Sequence, residues 1–267
     1  MVNILKATGA KEAFSEDKLR YSINRAGIPP QLQDKVLSHV QSKLYENIPS
    51  QEVYRHINEF LQTEPHPNAI KYKLKQALME LGPTGYPFED FVTEMLKSEG
   101  YSTQTRSILM GQCVSHEIDV VAQKGNDKLM VEAKYHNAPG IHTDVHVSLY
   151  TKARFDDLKE KYQFSKAWLF TNTKITPDAL AYALCVGMGV TSWSYPQEES
   201  LRDLIEKHKL YPLTLLSSLS EPQKQILLDS HIVLIREILQ NESCLDILAL
   251  QDDKKAQIIN EAKQVSG

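Results

Sequence analysis

His116-Glu117-Ile118-Asp119-Val120-Val121-Ala122, the turn Gly125-Asn126-Asp127, and Lys128-Leu129-Met130-Val131-Glu132-Ala133-Lys134-Tyr135 decide how this 267-residue chain is read. Two apolar extended runs joined by a short glycine-containing turn predict a β-hairpin. Side chains alternate along a strand, so Glu132 and Lys134 project from one face with Ala133 on the other. A carboxylate and an ammonium are thereby held about 7 Å apart at the backbone. If the pairing sets Asp119 beside Glu132, two carboxylates converge on one point. Such a pair repels unless a cation lies between its members, and a hard oxygen site suits magnesium or manganese. Lys134 would steady charge developing on a phosphate or position a water. Metal-assisted phosphodiester hydrolysis needs these parts: a Lewis acid, an activated water and a cation near the transition state. If Asp119 points elsewhere, Glu132 and Lys134 are a salt-bridged strand face.

Working outward, Phe88–Ser98 reads as a helix before the hairpin and Thr103–Met110 as a further strand. After it come a helix (Ser148–Tyr162), a strand (Ala167–Phe170), a helix (Pro177–Val186) and a strand (Val190–Trp193). The order α-β-β-β-α-β-α-β describes an α/β domain with a mixed sheet. Turn formers concentrate in Gly82-Pro83-Thr84-Gly85-Tyr86-Pro87, which places a boundary there. Before it, an extended start leads to helices: one capped by Ser15 and stopped at Gly27-Ile28-Pro29-Pro30, then Gln31–Leu44, Gln51–Leu61 capped by Ser50, and Asn68–Leu81 after the break Pro65-His66-Pro67. From Gln197 the pattern is helical again, through Ser200–His208, Glu221–Asp229, Ile232–Gln240 and Lys254–Val265. The expected domains are 1–83, 86–197 and 198–267: a multidomain α and α/β protein.

Residues 86–196 resemble the PD-(D/E)xK restriction-endonuclease-like superfamily, in its Mrr-like branch. The resemblance makes Asp119 the strand aspartate and Glu132-Ala133-Lys134 the E-x-K motif. An acidic residue of the first helix assists the metal in that family, which points to Glu89 in Pro87-Phe88-Glu89-Asp90-Phe91. Ile118 stands where the family's name-giving proline would be. The implied catalytic set is Asp119, Glu132, Lys134 and Glu89, with Asp119, Glu132 and Glu89 holding Mg2+ or Mn2+. The Mrr-like branch acts on DNA, so the implied activity is a DNA endonuclease. The rival is a non-catalytic nucleotide-sensing regulator that binds DNA through an inert nuclease fold.

His116, His136, His142 and His146 lie close in sequence but lack the spacing of a zinc helix. His116 and His136 flank the expected site and could contact phosphate or metal-bound water, while His142 and His146 belong to a loop near DNA. Tyr150, Lys152 and Arg154 open the next helix, where they either contact phosphate or form a solvated face.

The first lobe carries Lys6-Ala7-Thr8-Gly9 followed by Phe14-Ser15-Glu16-Asp17-Lys18. It resembles the ATP-cone, a helical nucleotide-binding module with the pattern V-x-K-R-D-G followed by an apolar residue, D or N, and K. Lys6, Gly9, Phe14 and Lys18 match, whereas Ala7, Thr8 and Ser15 replace the arginine and two aspartates. Gly9 permits a tight turn, and two lysines in one pocket would offset a triphosphate's charge. By the resemblance, ATP or dATP would be held by Lys6, Gly9, Glu12, Ser15, Lys18, Ser50, Tyr72, Lys73 and Lys75. Its role would be regulatory, shifting a conformational or oligomeric equilibrium. Alternatively, Lys71, Lys73 and Lys75 are a solvated face.

Net charge is -4, from 30 basic and 34 acidic residues, and no segment is a basic tail. Any DNA contact must therefore be local. Cys113, Cys185 and Cys244 lie far apart and form no CxxC pair, which fits a reducing cytosol. Neither a signal peptide nor a membrane-length apolar run is present, so a cytoplasmic protein is expected. The acidic C-terminal helices carry only a weak similarity to helix-hairpin-helix repeats and read as a packing or dimerisation unit, making a homo-oligomer the expected assembly.

Overall fold

The structure is a computed structural model that describes residues 2–6, 9–25, 28, 30–63, 73–138 and 140–267. It forms two compact units, residues 1–76 with 263–265 and 267, and residues 77–262 with 266.

In the first unit, β1 (Asn3–Leu5) pairs antiparallel with β2 (Lys11–Ala13) and parallel with β3 (Ile48–Pro49). Helices α1 (Glu16–Arg25), α2 (Pro30–Lys43) and α3 (Ser50–Thr63) bury Leu19, Ile23, Val36, Leu37, Val40 and Ile57 as one cluster. Ser15 caps α1 by accepting the Lys18 N–H, as its residue type predicts. Ser50 is the first residue of α3 rather than the residue before it. The break at Pro65-His66-Pro67, most of the helix expected from Asn68, Tyr72, and the stop residues Gly27 and Pro29 lie outside the described residues. From that expected helix, α4 (Leu74–Met79) is described.

The second unit begins within α4 rather than in the turn at 82–87. Its anchors are polar as well as apolar: Tyr135 Oη donates to the Met79 carbonyl at 2.6 Å and Thr214 Oγ1 donates to the Ala77 carbonyl at 2.6 Å. Helix α5 (Tyr86–Ser98) buries Phe88, Phe91, Val92 and Met95, the helical spacing of an inward stripe. Strands β4 (Ser102–Met110), β5 (Ser115–Lys124) and β6 (Asp127–Lys134) follow as an antiparallel meander. The β5–β6 turn is Gly125-Asn126, with Gly125 at φ 59°, the left-handed conformation that glycine adopts at no steric cost. Helix α6 (Val145–Tyr162), β8 (Lys166–Thr171), α7 (Pro177–Cys185) and β10 (Gly189–Thr191) complete a five-stranded mixed sheet of order β10-β8-β6-β5-β4. A separate two-stranded piece, β7 (His142–Thr143) with β9 (Lys174–Ile175), was not expected from the sequence, because two-residue strands carry no periodic signal.

Helices α8 (Leu201–His208), α9 (Glu221–Asp229), α10 (Ile235–Gln240) and α11 (Asp252–Ser266) follow. The third starts three residues later than its apolar run suggests. Glu237 accepts the N–H groups of Val233 and Leu234, and Leu234 bridges Pro212, which holds this stretch extended. Residues 198–262 share one compact unit with the sheet. Among the described residues, no helix is long and apolar enough to cross a membrane.

Candidate active site

The antiparallel register pairs Val120 with Val131, and one further step sets Asp119 opposite Glu132. There the backbone ladder gives way to a side-chain bond: the Ala133 N–H donates to Asp119 Oδ2 at 2.7 Å. On the other side, β4 pairs Thr105 with Val120 and Ser107 with Ile118 but skips Arg106, whose φ of 50° is left-handed. Asp119 therefore sits where both of its neighbours loosen, and its carboxylate occupies the opening. Glu132 continues the row to Leu169 on β8.

Burial raises the pKa of Asp119, and the Ala133 N–H only partly offsets this. Burial, and then the charge of Asp119, also push Glu132 upward. Glu89, on the first turn of α5, rises to about 7, chiefly from burial and then from the charge of Asp119. Three carboxyls from three elements thus oppose one another's ionisation in a poorly hydrated place. Two arginines answer them. Arg154, itself buried, donates from Nη1 to Glu132 Oε2 at 2.6 Å. Arg106 reaches Glu89 Oε2 at 3.1 Å and Asp90 Oδ1 at 2.7 Å. Among the described residues, the carboxylate oxygens of Glu89, Asp119 and Glu132 do not gather within 4.8 Å of one another. Each is drawn toward its own partner. The donor set still fits a hard divalent cation: carboxylate oxygens, desolvated, with their mutual repulsion incompletely compensated.

Of the expected set, Asp119 stands opposite Glu132 and its charge acts on Glu89, though the three do not converge; Lys134 lies two residues along β6 and is paired to Thr171 on β8. The flanking residues have other partners. Arg154 is the counter-ion of Glu132 and is too buried to be a free phosphate ligand; its guanidinium lies 4.8 Å above the exposed Tyr150 ring. His116 Nε2 bonds Asp157 Oδ2 at 2.8 Å. The same carboxylate accepts the N–H groups of Cys113 and Val114, so His116 helps pin the β4–β5 turn. His136 Nε2 meets Thr143 Oγ1 at 3.1 Å, and Asn172 brackets the His136 backbone by accepting its N–H and donating to its carbonyl. Burial lowers the pKa of His136, favouring the neutral ring. Lys152 pairs with Asp156 along its own helix.

Arg106, Asp90 and His231 were missed by the sequence reading. His231 Nδ1 lies 2.9 Å from Asp90 Oδ2, so a residue between α9 and α10 reaches the edge of the site. No short-range pattern marks Arg106; only the alignment of β4 against Asp119 reveals it.

In the first unit, Lys6 and Lys18 both converge on Glu12, Lys6 Nζ at 3.1 Å from Oε2. Gly9 turns the β1–β2 hairpin at φ 81° with open space where a side chain would stand. Lys73 precedes α4 and Lys75 lies within it.

A restriction endonuclease family model matches residues 82–195, and an AF1548-like C-terminal model matches residues 211–266. An uncharacterized protein of Archaeoglobus fulgidus is 39% identical over 177 residues, 66% of this chain and 100% of the relative. The crystal structure of AF1548, a protein of unknown function, aligns with TM-score 0.61 at 37% identity, covering 69% of this chain and 99% of that one.

Proposed function

The chain belongs to the family of this uncharacterized Archaeoglobus fulgidus protein, and we propose that its restriction endonuclease-like domain is a divalent-metal-dependent DNA endonuclease. The observation that carries this reading is the row Asp119–Glu132 beside Glu89 and Lys134, with all three carboxyls pushed upward in a desolvated site inside the matched segment. Glu89, Asp119 and Glu132 would hold Mg2+ or Mn2+. The cation, when bound, supplies Lewis-acid polarisation of the phosphate and a more acidic water. Lys134 neutralises charge on the phosphate oxygens as the bond to the leaving oxygen breaks. Arg154 partly offsets the rise of the Glu132 pKa, and the Ala133 N–H fixes the orientation of Asp119. Nicking of supercoiled plasmid in Mg2+ or Mn2+ tests the reading. Loss of nicking in Glu132→Ala is expected, and equal activity in that variant overturns the assignment. The arginines seated on Glu89 and Glu132 favour one rival, an inert nuclease fold that only binds DNA, which predicts no cleavage under any metal.

We further propose that the first unit binds ATP or dATP and regulates the enzyme. Lys6 and Lys18, brought together on Glu12 beside the Gly9 turn, support this. Calorimetry should show weakened binding of ATP and dATP by Lys6→Ala/Lys18→Ala, and unchanged binding would discard the pocket. We also propose a cytoplasmic location and a homo-oligomeric assembly.

A further inference from the structure

We propose that the first unit carries a second metal site, distinct from the carboxylate row, in which His39, His56 and Glu59 bind a borderline divalent cation of the Zn2+ class. His39 is on α2, and His56 and Glu59 are on α3, packed against it. The spacing of three residues puts His56 and Glu59 on one helix face. One ligand atom from each of the three side chains lies within 4.8 Å of both others. His56 Nδ1 is 3.0 Å from Glu59 Oε2, and the two imidazoles meet edge to face with centroids 6.4 Å apart.

A simple ion pair between His56 and Glu59 explains part of this geometry and leaves His39 unexplained. Its Nε2 is buried with no hydrogen-bond partner among the described residues, and Phe60 packs against its ring at 5.3 Å. A buried, unpaired imidazole nitrogen is costly and calls for a ligand. A cation shared with His56 and Glu59 supplies one. With Nδ1 of His56 beside Glu59, its Nε2 faces Glu52 Oε1 at 3.6 Å. A ligating histidine commonly directs its remaining N–H to such a carboxylate. Glu52 is itself held by Tyr45 Oη and Arg55.

The donor set fixes the class of cation. Two imidazole nitrogens and one carboxylate oxygen suit Zn2+, Co2+ or Ni2+, whereas Mg2+ prefers oxygen alone. Three protein ligands leave a fourth position to water or an external donor. Bound there, the cation pins α2 to α3. The site uses none of the residues assigned to the nuclease or the nucleotide pocket, so it stands or falls separately from both.

The test is a titration of the full chain, stripped with chelator, with Co2+ as a visible surrogate for Zn2+. Expected are one equivalent of Co2+ with the absorption of a tetrahedral site, displacement by Zn2+ and persistence in excess Mg2+. His39→Gln and Glu59→Gln should each weaken binding about 10–100-fold, while Asp119→Asn/Glu132→Gln should leave it intact. Glu59 is half-exposed, so Glu59→Gln examines the site without disturbing the core. Failure to bind Co2+, unchanged affinity in His39→Gln and Glu59→Gln, or loss of the signal in Asp119→Asn/Glu132→Gln would each overturn the proposal.

Discussion

Glu89 binds its proton more tightly in the folded chain than in the unfolded one, its pKa rising from 4.5 to about 7. The stability this supplies is fully present below about pH 4.5 and is lost as pH rises through about 7. Metal-free protein should therefore lose thermal stability across that window. Glu89→Gln should flatten the loss and be more stable above pH 7 by on the order of 1–2 kcal/mol, discounted because solvent screens part of the site. Melting curves of both proteins between pH 4 and 8 check it, and parallel slopes refute it. Arg154 gives the complementary case. Removing it leaves Glu132 buried and uncompensated, so Arg154→Met should destabilise by about 3 kcal/mol at neutral pH. Part of that should return in Glu132→Gln/Arg154→Met, read by denaturant unfolding. At this scale Asp119, Glu132 and Lys134 were legible because a strand's alternation fixes their faces. The arginine partners of Glu89 and Glu132 were not, because Arg106 lies 17 residues from Glu89 and Arg154 lies 22 residues from Glu132, each on a different element from its partner.

Elements are held by features that a local pattern reports unevenly. The Gly125-Asn126 turn was readable because two residues suffice to specify it. The β4–β5 turn depends instead on Asp157, 44 residues beyond Cys113, whose N–H it accepts at 2.8 Å. His116 holds the Asp157 carboxyl down to about 2. Asp157→Ala should loosen this turn, visible as faster hydrogen exchange at Cys113 and Val114 with exchange at the Gly125 turn unchanged. Strand β10 is equally dependent on a distant contact. A side chain at Gly189 would stand 2.6 Å from the Trp168 ring, so Gly189→Ala should cost about 1–3 kcal/mol. Unaltered stability in chemical denaturation would show that the indole yields.

Across the second unit, the C-terminal helices are structural partners of α5, which itself packs on β4 of the nuclease-like sheet. Arg236 donates to Ser98 Oγ at 2.9 Å and to Glu94 Oε2 at 2.8 Å, and Lys207 meets Glu99 at 3.0 Å. A chain ending at residue 197 should therefore lose the cooperative melting transition of the second unit. Retention of that transition would make residues 198–267 an independent domain. Net charge says little at the same scale: -4 is the small difference between 34 acidic and 30 basic residues and does not report how they are distributed.

Composition, turn residues and the alternating hairpin by themselves determined the element order of the sheet, the facing of Glu132 and Lys134 and the kinship of Asp119 with them. These depend on neighbours in sequence, within the reach of backbone geometry. Tertiary structure decided what neutralises those carboxyls, which histidines are tied into turns, where α10 begins, and that His39 meets His56. Most of these join residues of different elements, such as Arg154 with Glu132 and His39 with His56, and only packing sets such distances.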